Sequence, residues 1–513
     1  MTPTTEVLLG IDSGLTNTKA VVFDPDGRQL GADTVASDQH SPHPRWVERD
    51  MDSVWDATQG AVSGALSDAG VGASDVTAVG VTGHGDGVYL VDDAGKAVRP
   101  GINSLDSRAT DVLEAWESAG VMDGSLELLG QKPFAALSPA LLAWLAEHEP
   151  DALERTRWFL YCKDWLRYKL TGEVATDFTE ASAGFTEVRS QRYTDEVFAL
   201  FGLEGLEHAR PPVLGSTQVA GHVTGEAAEA TGLAAGIPVI AGAHDVDASA
   251  IGTGVVRPGV VCAITGTWSI NEVVSDAPTF DGRWGCRNFA VPGWWLCQAA
   301  SPASSTNLEW FVRQLGALEA ERAQQRGESP FAFANREVEA VLDEESRVFY
   351  HPFLYGAPGG APGAAAFLGL RGWHTRGHLL KALFEGVVFN ARNHIGDLRS
   401  AFDVSEVRLT GGGSRSELWC QMYADALDLP VAVTDAAETG ALGAAMCAGV
   451  GVGVYGSLDD AVERVTRVER TYEPDARRGE RLSQAAEVYN ATVDALAPVS
   501  DRLGDAPRAS RVD

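Results

Sequence analysis

The stretch LLGIDSGLTNTKAVVFDPDG, residues 8–27, decides the fold of the first part of the chain. Two apolar segments flank a loop of small and polar residues, and the turn sequence Asp-Pro-Asp-Gly follows the second segment. Short apolar runs bounded by turn residues of this kind are typical of β-strands. The stretch therefore predicts a β-hairpin with a polar loop at its tip.

The hairpin loop, residues 12–19, carries groups that suit a nucleotide tail. Gly14 lets backbone N–H groups approach phosphate oxygens, and Thr16 and Thr18 offer hydroxyl donors. Lys19 supplies a cation, and Asp12 can hold Mg²⁺ through water. A P-loop is excluded, because that motif runs into a helix whereas a β-rich segment follows here. The residues leave two interpretations open: a phosphate-binding hairpin and an ordinary hairpin with a polar turn.

Length, charge and cysteine spacing limit the classes of function. A chain of 513 residues exceeds what one hydrophobic core usually fills, so two large domains are expected. The net charge of -31 would repel nucleic acid and anionic membrane surfaces. The six cysteines show no Cys-x-x-Cys spacing, so neither a disulfide scaffold nor a zinc site is expected. The sequence does not open with a secretory signal, which predicts a cytoplasmic protein.

Alternating helix and strand patterns along the chain predict an α/β protein. In the first part, residues 54–69 and 139–147 have helical periodicity, and residues 76–81 form an apolar strand pattern. In the second part, residues 307–318 and 374–398 have helical patterns. This alternation favours sheets covered by helices.

The chain contains a second strand-turn-strand pattern at residues 260–274. Its turn contains Gly266 and Thr267 and repeats the chemistry of the opening hairpin, so two similar halves are expected. The predicted parts are an N-terminal domain over residues 1–243, a C-terminal domain over 244–499, and a disordered tail over 500–513.

Two stretches rich in glycine and alanine interrupt the second part. Residues 356–366 predict a loop. Residues 439–456 are the longest uncharged run, and their repeated glycines favour a tightly packed helix and loop over a membrane span.

A triple-glycine turn, residues 410–416, follows an apolar strand and opens a helix. Its backbone could lie under a planar ring, and its N–H groups could face a nucleotide. It is not a dinucleotide fingerprint, because the Gly-x-Gly-x-x-Gly spacing is missing. An adenosine site and a tight turn for helix–sheet packing both remain open.

Two loops beside strands carry His84, Asp86, Asp106 and Arg108. Side chains of these types can donate and accept hydrogen bonds at successive hydroxyls of a polyol. The sequences Gly-Asp-Gly and Leu-Asp-Ser are also ordinary turn sequences, and His84 could be a structural histidine. The loops therefore predict either a polyol site or turn chemistry.

Asp245 stands where an apolar strand ends and a helix of small residues begins. A hydroxyl that attacks a γ-phosphate needs an aligned carboxylate to accept its proton and little other covalent chemistry. Asp245 suits that role, while Asp247 points in another direction and is expected to be structural.

Seven segments resemble, in order and spacing, those of the FGGY carbohydrate kinases, over about residues 7–475. The segments are the hairpin loop, GHGDGVYLVDD, CKDWLRYKLTGEVATD, GAHD, ITGTW, GHLLKALFEGVVFNARNHI, and LTGGGSRSELW followed by ETGALGAA. The resemblance implies two actin-like (ribonuclease H-like) ATPase domains around a central catalytic cleft that closes over the substrate. It also implies transfer of a phosphoryl group from ATP, with Mg²⁺, to a hydroxyl of a small-molecule sugar or polyol. A homodimer is left open.

The resemblance assigns a role to each candidate residue. Asp245 matches the catalytic aspartate, which also contacts the sugar, and Asp12 matches the metal-associated aspartate. Further sugar contacts fall on His84, Asp86 and Asp106. The positions that would contact ATP, at its phosphates or its adenosine, are Thr16, Lys19, Gly266, Thr267, Gly412, Gly413 and Ser416.

The resemblance also limits the substrate. SPASSTNLEWF is similar to L-xylulose kinases, whereas GHGDG together with CKDW is similar to erythritol kinases. Many D-xylulose kinases carry Gln-Met-His-Gly where this chain has His-Gly-Asp-Gly. We expect a neutral pentulose, L-xylulose first, with erythritol or D-xylulose as alternatives and a sugar sensor as the non-enzyme alternative.

Sugar acids are expected to be rejected. Asp86 and Asp106 bring negative charge to the sugar loops, and Arg108 is the compensating cation that the local sequence shows. A substrate carboxylate beside them would meet like charges in a desolvated site, which costs several kcal/mol.

Overall fold

Helices and strands alternate along the chain, as the sequence predicts for an α/β protein. The computed structural model describes residues 6–358 and 363–503. The strands are β1 (Val7–Ser13), β2 (Asn17–Phe23), β3 (Gln29–Ala36), β4 (Glu48–Arg49), β5 (Val76–Gly83), β6 (Tyr89–Val91), β7 (Gly101–Ile102), β8 (Trp158–Leu160), β9 (Thr176–Asp177), β10 (Thr186–Glu187), β11 (Arg192–Tyr193), β12 (Val213–Leu214), β13 (Val219–His222), β14 (Pro238–Ile240), β15 (Val260–Thr265), β16 (Ser269–Ser275), β17 (Gly285–Asn288), β18 (Trp295–Ser301), β19 (Phe349–His351), β20 (Ala366–Leu368), β21 (Glu406–Thr410), β22 (Val431–Thr434) and β23 (Val468–Tyr472).

The helices cover the sheets and connect their parallel strands. They are α1 (Met51–Ala69), α2 (Thr110–Ser118), α3 (Val121–Leu129), α4 (Ser138–His148), α5 (Pro150–Arg155), α6 (Cys162–Thr171), α7 (Phe178–Ala181), α8 (Asp195–Leu200), α9 (Gly225–Thr231), α10 (Asp245–Gly252), α11 (Thr306–Leu315), α12 (Ala317–Gln325), α13 (Ala332–Glu339), α14 (Arg376–Arg399), α15 (Glu417–Leu427), α16 (Thr439–Gly451), α17 (Leu458–Val465) and α18 (Ala476–Leu503). Within the described ranges, no helix is long and apolar enough to cross a membrane.

The opening hairpin is the centre of the first large sheet. This sheet has six strands in the order β13-β14-β5-β1-β2-β3. Strand β1 pairs antiparallel with β2, which places Asp12 opposite Lys19, and parallel with β5. The predicted β-hairpin is confirmed, and its loop lies at the same sheet edge as the end of β5.

A second hairpin occupies the equivalent position in the other large sheet. That sheet has seven strands and contains the run β16-β15-β21-β22-β23. Strand β15 pairs antiparallel with β16, with Thr265 opposite Ser269, and parallel with β21. Each half therefore has a hairpin whose first strand has a parallel neighbour on its other side, as the repeated turn chemistry predicts.

The described chain divides into two compact units. The first comprises the chain up to Pro258 together with Val274–Cys297 and Asp435–Arg467. The second comprises Gly259–Val273, Gln298–Thr434 and the chain from Val468 onward. This division differs from the predicted boundary between residues 243 and 244, because α10 and α16 both pack within the first unit. Sequence order alone does not reveal that α16 returns to it.

Glycines allow α16 to pack closely within the first unit. A Cβ on Gly443 would lie 1.8 Å from the carbonyl oxygen of Ala248 on α10. On the sheet side, a Cβ on Gly10 of β1 would lie 1.9 Å from the carbonyl oxygen of Ala441. At both places the backbone of α16 packs directly against the backbone of its neighbour. The predicted tight packing of this Gly/Ala-rich segment is therefore confirmed.

The helix ends differ from the predicted ends by a few residues. Helix α1 begins at Met51 because the Asp50 carboxylate accepts a hydrogen bond from the Ser53 N–H at 2.8 Å and caps it. The predicted helix over 307–318 is divided at Gly316 into α11 and α12. In the predicted loop, residues 359–362 lie outside the described residues.

The predicted disordered tail begins too early. Helix α18 continues to Leu503, so residues 500–503 are helical. Residues 504–513 lie outside the described residues.

Candidate active site

Near its C-terminal end, β1 holds Asp12 beside the N-terminus of α16. A Cβ on Gly440 would lie 2.5 Å from Asp12 Oδ2, so a larger residue there would displace this carboxyl from its observed position. Burial raises the pKa of Asp12 to about 6; Lys19 opposes this rise and Glu438 adds to it. Lys19 Nζ forms an ion pair with Glu438 Oε2 at 2.6 Å. The predicted phosphate cation is therefore held in place by an acidic residue that precedes α16.

The two threonines of this loop differ in their surroundings. Thr16 is exposed, as a nucleotide contact would need to be. Thr18 is buried, and its hydroxyl is 3.0 Å from that of Ser13. The Arg49 guanidinium is also buried. It donates to the Gly14 carbonyl oxygen at 3.0 Å, and this hydrogen bond stabilises the loop. Thr16 is thus accessible at the protein surface, where its hydroxyl accepts from Asn17 Nδ2 at 3.2 Å, while Thr18 belongs to the hairpin's internal structure.

Asp245 is the first residue of α10 and follows a tight corner after β14. Gly242 has a φ of 86°, and a Cβ there would lie 2.0 Å from the Val81 carbonyl oxygen. The Asp245 side chain is 35% exposed. Burial raises its pKa to about 7, and the nearby carboxyls of Asp12 and Asp86 add to this rise. A carboxylate that titrates near neutral pH can accept a proton from a hydroxyl and later release it.

His84 and Asp86 follow the end of β5, at the same sheet edge as the hairpin loop. His84 Nε2 lies 3.0 Å from the Tyr89 hydroxyl, and burial, assisted by Arg49, lowers the pKa of His84 to about 3. The ring is therefore neutral at neutral pH. Asp86 has a φ of 56°, the left-handed conformation that suits its place in the Gly-Asp-Gly turn.

Arg287 is a residue of this candidate site that sequence reasoning missed. Its Nη2 lies 3.0 Å from Asp86 Oδ1, its Nη1 lies 3.4 Å from Oδ2, and its Nε donates to Gln131 Oε1 at 2.8 Å. The Arg287 side chain is 5% exposed. Burial raises the pKa of Asp86 and Arg287 opposes that rise. The Gly-Asp-Gly loop thus contains a buried ion pair rather than an isolated carboxylate.

Arg108 is not the compensating cation of this loop. It donates to both oxygens of Asp106 and, at 2.8 Å, to Glu48. The Asp106 oxygens accept further hydrogen bonds from the N–H groups of Val47 at 2.6 Å and Arg108 at 2.8 Å. These partners are what a structural turn requires. The geometry of Asp106 therefore favours the turn interpretation over a sugar contact.

The triple-glycine turn of the second unit has one open position. Gly411 has a φ of 87°, and a Cβ on Gly413 would lie 2.5 Å from Thr265 Oγ1. Gly412 is exposed, and the nearest atom to a Cβ there would be the Thr265 carbonyl oxygen at 3.8 Å. Packing therefore accounts for glycine at 411 and 413. It does not account for glycine at 412.

The remaining predicted nucleotide residues lie near this turn. The Gly266 carbonyl oxygen accepts a hydrogen bond from the Ser305 hydroxyl at 2.7 Å, and Thr267 is exposed at the tip of the β15–β16 hairpin. The Ser416 hydroxyl caps α15 by accepting from the Trp419 N–H at 3.2 Å, and it donates to Asn335 at 2.9 Å. Ser416 thus has a structural role that the sequence did not reveal.

The acidic side chains of this candidate site suit Mg²⁺, which needs few protein ligands, better than a metal ion that is bound by three or four side chains. Among residues 6–358 and 363–503, no group of three or more His, Cys, Asp or Glu side chains is arranged to hold a metal ion. Mg²⁺ in phosphoryl-transfer sites is usually held by one or two carboxylates together with phosphates and water. Asp12, a half-buried residue in the same hairpin as the exposed Thr16, fits that pattern.

A cavity of the second unit is lined by none of the candidate residues described above. It has a volume of about 800 Å³ and is lined by parts of α14, α15 and α18. Arg392 and Arg399 in its wall donate to the carbonyl oxygens of Ala426 and Leu427 at 2.9 Å. They therefore satisfy the C-terminal end of α15.

Comparison with known proteins identifies relatives over nearly the whole chain. The model of the FGGY family of carbohydrate kinases, N-terminal domain, matches residues 7–252, and that of its C-terminal domain matches residues 261–452. An L-xylulose/3-keto-L-gulonate kinase of Escherichia coli (strain K12) is 32% identical over 96% of this chain and 97% of its own length. An erythritol kinase of Brucella abortus (strain 2308) is 28% identical over 97% of this chain and 98% of its own length.

Solved structures resemble the chain to a similar extent. The xylulose kinase from Rhodospirillum rubrum has a TM-score of 0.85 and 29% identity, over 96% of this chain and 100% of that structure. The glycerol kinase of Plasmodium falciparum, solved with ADP, has a TM-score of 0.82 over 95% of this chain and 98% of that structure. At 18% identity the second likeness concerns the fold alone.

Proposed function

The chain belongs to the FGGY family of carbohydrate kinases, and from that premise we propose that it phosphorylates a hydroxyl of a pentulose, with L-xylulose favoured. The fold prediction of two actin-like ATPase domains is confirmed by this membership. The observation that carries the proposal is the Asp245 carboxyl, whose pKa of about 7 and place after a rigid corner suit a general base. Erythritol and D-xylulose remain the alternative substrates.

Asp245 would accept the proton of the sugar hydroxyl as that oxygen attacks the γ-phosphate of ATP. Asp12 would hold Mg²⁺, which supplies positive charge to the phosphates when it is bound. Lys19, oriented by its ion pair with Glu438, would add a second positive charge at the phosphate loop. Thr16 would donate its exposed hydroxyl to a phosphate oxygen.

The Asp86–Arg287 pair supports a polyhydroxyl substrate and changes the argument about acids. An ionised Asp86 held by Arg287 can accept a hydrogen bond from a sugar hydroxyl. The pair has no net charge, so the repulsion that was expected to exclude sugar acids is weaker than the sequence predicts. One relative is named for both L-xylulose and 3-keto-L-gulonate, a neutral sugar and an acid. We propose the neutral pentulose and include acids in the test.

A substrate panel tests the proposal. The full-length protein would be mixed with Mg²⁺ and ATP and, in turn, L-xylulose, D-xylulose, erythritol, 3-keto-L-gulonate and gluconate, with coupled detection of ADP. We expect the highest kcat/KM with L-xylulose. A preparation of Asp245→Asn, purified in the same way, controls for contaminating kinases. Highest activity on an acid would overturn the neutral-substrate proposal, and sugar-independent ADP release alone would overturn the kinase proposal.

Gly412→Val should raise the KM for ATP by about tenfold while leaving the KM for the sugar within about twofold. The branched side chain would occupy the open surface where adenosine is proposed to lie, yet it has space in the free protein. Initial rates at varied ATP and varied sugar measure both constants. Gly413→Ala is the comparison, because its Cβ meets Thr265 and should lower thermal stability instead. Equal KM effects in Gly412→Val with an intact fold would favour the packing interpretation of the turn.

The kcat/KM for the sugar should rise with pH up to about 7 and then level off. Asp245 must be deprotonated to act as a base, and its raised pKa of about 7 makes the protonated form dominant below that pH. Rates at saturating ATP and Mg²⁺ between pH 5.5 and 8.5 would show the slope, which should approach ~tenfold per pH unit on the acidic side. A flat profile over this range would contradict the assignment.

A further inference from the structure

The peptide group that joins Ala243 to His244, immediately before Asp245, is held on both sides. Its carbonyl oxygen, on Ala243, accepts a hydrogen bond from the Thr82 hydroxyl at 2.7 Å. Its N–H, on His244, donates to the Thr179 hydroxyl at 2.8 Å. Both threonines are buried, so water does not compete for these bonds. Two hydroxyl groups from β5 and α7 therefore set the plane of one peptide.

The direction of the Thr179 hydroxyl is itself determined by buried charges. It donates its hydrogen to Asp177 Oδ2 at 2.8 Å, which leaves its lone pairs free for the N–H of His244. The same Asp177 oxygen accepts from the Ser216 hydroxyl at 2.7 Å, and the other oxygen pairs with Lys163 Nζ at 2.8 Å. The Asp177 and Lys163 side chains have 0% exposure. This arrangement makes Thr179 an acceptor in a fixed orientation.

The surrounding backbone gives this peptide little room to adjust. Gly242 is confined against the Val81 carbonyl oxygen, as described above. A Cβ on Gly85 would lie 1.4 Å from His244 Nε2, so the His244 ring also packs directly on backbone. A rotation of the 243–244 peptide would therefore be transmitted to the next residue, Asp245, rather than absorbed before it.

We propose that Thr82 and Thr179 are positioning residues, which hold the 243–244 peptide so that the Asp245 carboxylate is aligned with the sugar hydroxyl. The inference rests on the proposed role of Asp245 as the base. Neither threonine needs to touch the substrate. Because a misplacement of ~1 Å can cost ~10²-fold in rate, loss of one hydroxyl should lower kcat by ~10-fold or more.

The test compares valine, which keeps the shape of threonine, with serine, which keeps the hydroxyl. Thr179→Val and Thr82→Val should each lower kcat by ~10-fold or more, with the KM for the sugar within about threefold of the parent value. Thr179→Ser should restore kcat to within about threefold. Thr58→Val is the matched control: Thr58 is buried in α1, and its hydroxyl bonds the Val54 carbonyl oxygen at 2.9 Å. Its kcat should equal that of the parent.

A double variant separates this inference from the proposed function. Adding Thr179→Val to Asp245→Asn should lower kcat no further, because the threonine acts through the aspartate. If Asp245→Asn keeps the parental kcat, the proposed base is wrong. If that variant is inactive but both valine variants keep the parental kcat, or if the double variant is additive, the positioning role alone is overturned. If Thr179→Val does not fold, the kcat values of Thr82→Val and Thr179→Ser provide the test.

Discussion

Asp245→Asn is expected to lower kcat by ~10²–10⁴, the usual contribution of a general base, while the KM values for sugar and ATP stay within a few-fold. The amide keeps the size of the carboxyl and removes its ability to accept a proton. The change therefore acts on the transition state more than on binding. Steady-state rates at varied sugar and varied ATP, followed by ADP release, provide the measurement.

Asp247→Asn is the matched control, two residues further along the same helix. Burial raises the pKa of Asp247 well above its ordinary value, and the amide of Asp247→Asn keeps the size of the carboxyl. We expect its kcat within a few-fold of the parent. A parental kcat in Asp245→Asn, or an equal loss in both variants, would remove Asp245 from the proposed mechanism.

Asp245→Asn should also change the stability of the folded protein in a pH-dependent way. The pKa of Asp245 is raised from its ordinary value of 3.8 to about 7 in the folded protein. The folded state therefore binds this proton more tightly than the unfolded state, and the parent loses stability as pH rises through that interval. The amide in Asp245→Asn does not titrate, so this variant does not lose stability in that way. Its melting temperature should exceed that of the parent at pH 8, and the difference should shrink toward pH 4.

Gly443→Val is expected to lower the free energy of unfolding by ~3 kcal/mol or more, at the upper end of overpacking effects. The new Cβ would lie 1.8 Å from the carbonyl oxygen of Ala248, and a backbone atom cannot rotate away as a side chain can. Helices α10 and α16 would have to separate. Urea unfolding followed by circular dichroism would measure the change, and accumulation in inclusion bodies would be its extreme form.

Gly396→Ala is a suitable control because it also lies inside a helix, α14. Apart from its two chain neighbours and the backbone of its own helix, no described residue has a heavy atom within 4 Å of the position its Cβ would take. Alanine favours helices over glycine by ~1 kcal/mol, so this variant should be as stable as the parent or more stable. If Gly443→Val unfolds at the parental urea concentration, the close approach of α10 and α16 is incorrect.

Local patterns were sufficient for the parts of the site that a few neighbouring residues determine. The hairpin that pairs Asp12 with Lys19, and the strand-to-helix corner at Asp245, each follow from apolar runs and turn residues within about ten positions. The family resemblance added the order of these segments. Neither the local patterns nor the family resemblance predicted how these segments contact later parts of the chain.

Partners that come from distant parts of the chain could not be predicted. Arg287 lies 201 positions from Asp86, in a short strand without a motif, so nothing in the sequence connects the two. Two of the partners of Asp106 are the neighbouring Arg108 and the distant backbone of Val47, and these contacts favour the turn interpretation. The three glycines of the 411–413 turn are identical in sequence, and only their surroundings distinguish packing from an open surface.

Under the proposed role of Asp86 in substrate binding, its ion pair with Arg287 restricts how substrate preference could evolve or be redesigned. Removing Asp86 alone would leave a buried guanidinium without its counterion, and removing Arg287 alone would leave a buried carboxylate; either change is strongly destabilising for a buried pair. Gln131 accepts a hydrogen bond from the same guanidinium, so a redesign would have to consider this residue together with the pair. If the proposed sugar contact is correct, new specificities at these positions should arise by coordinated replacement of two or three of them, and a library that varies one position at a time would miss them.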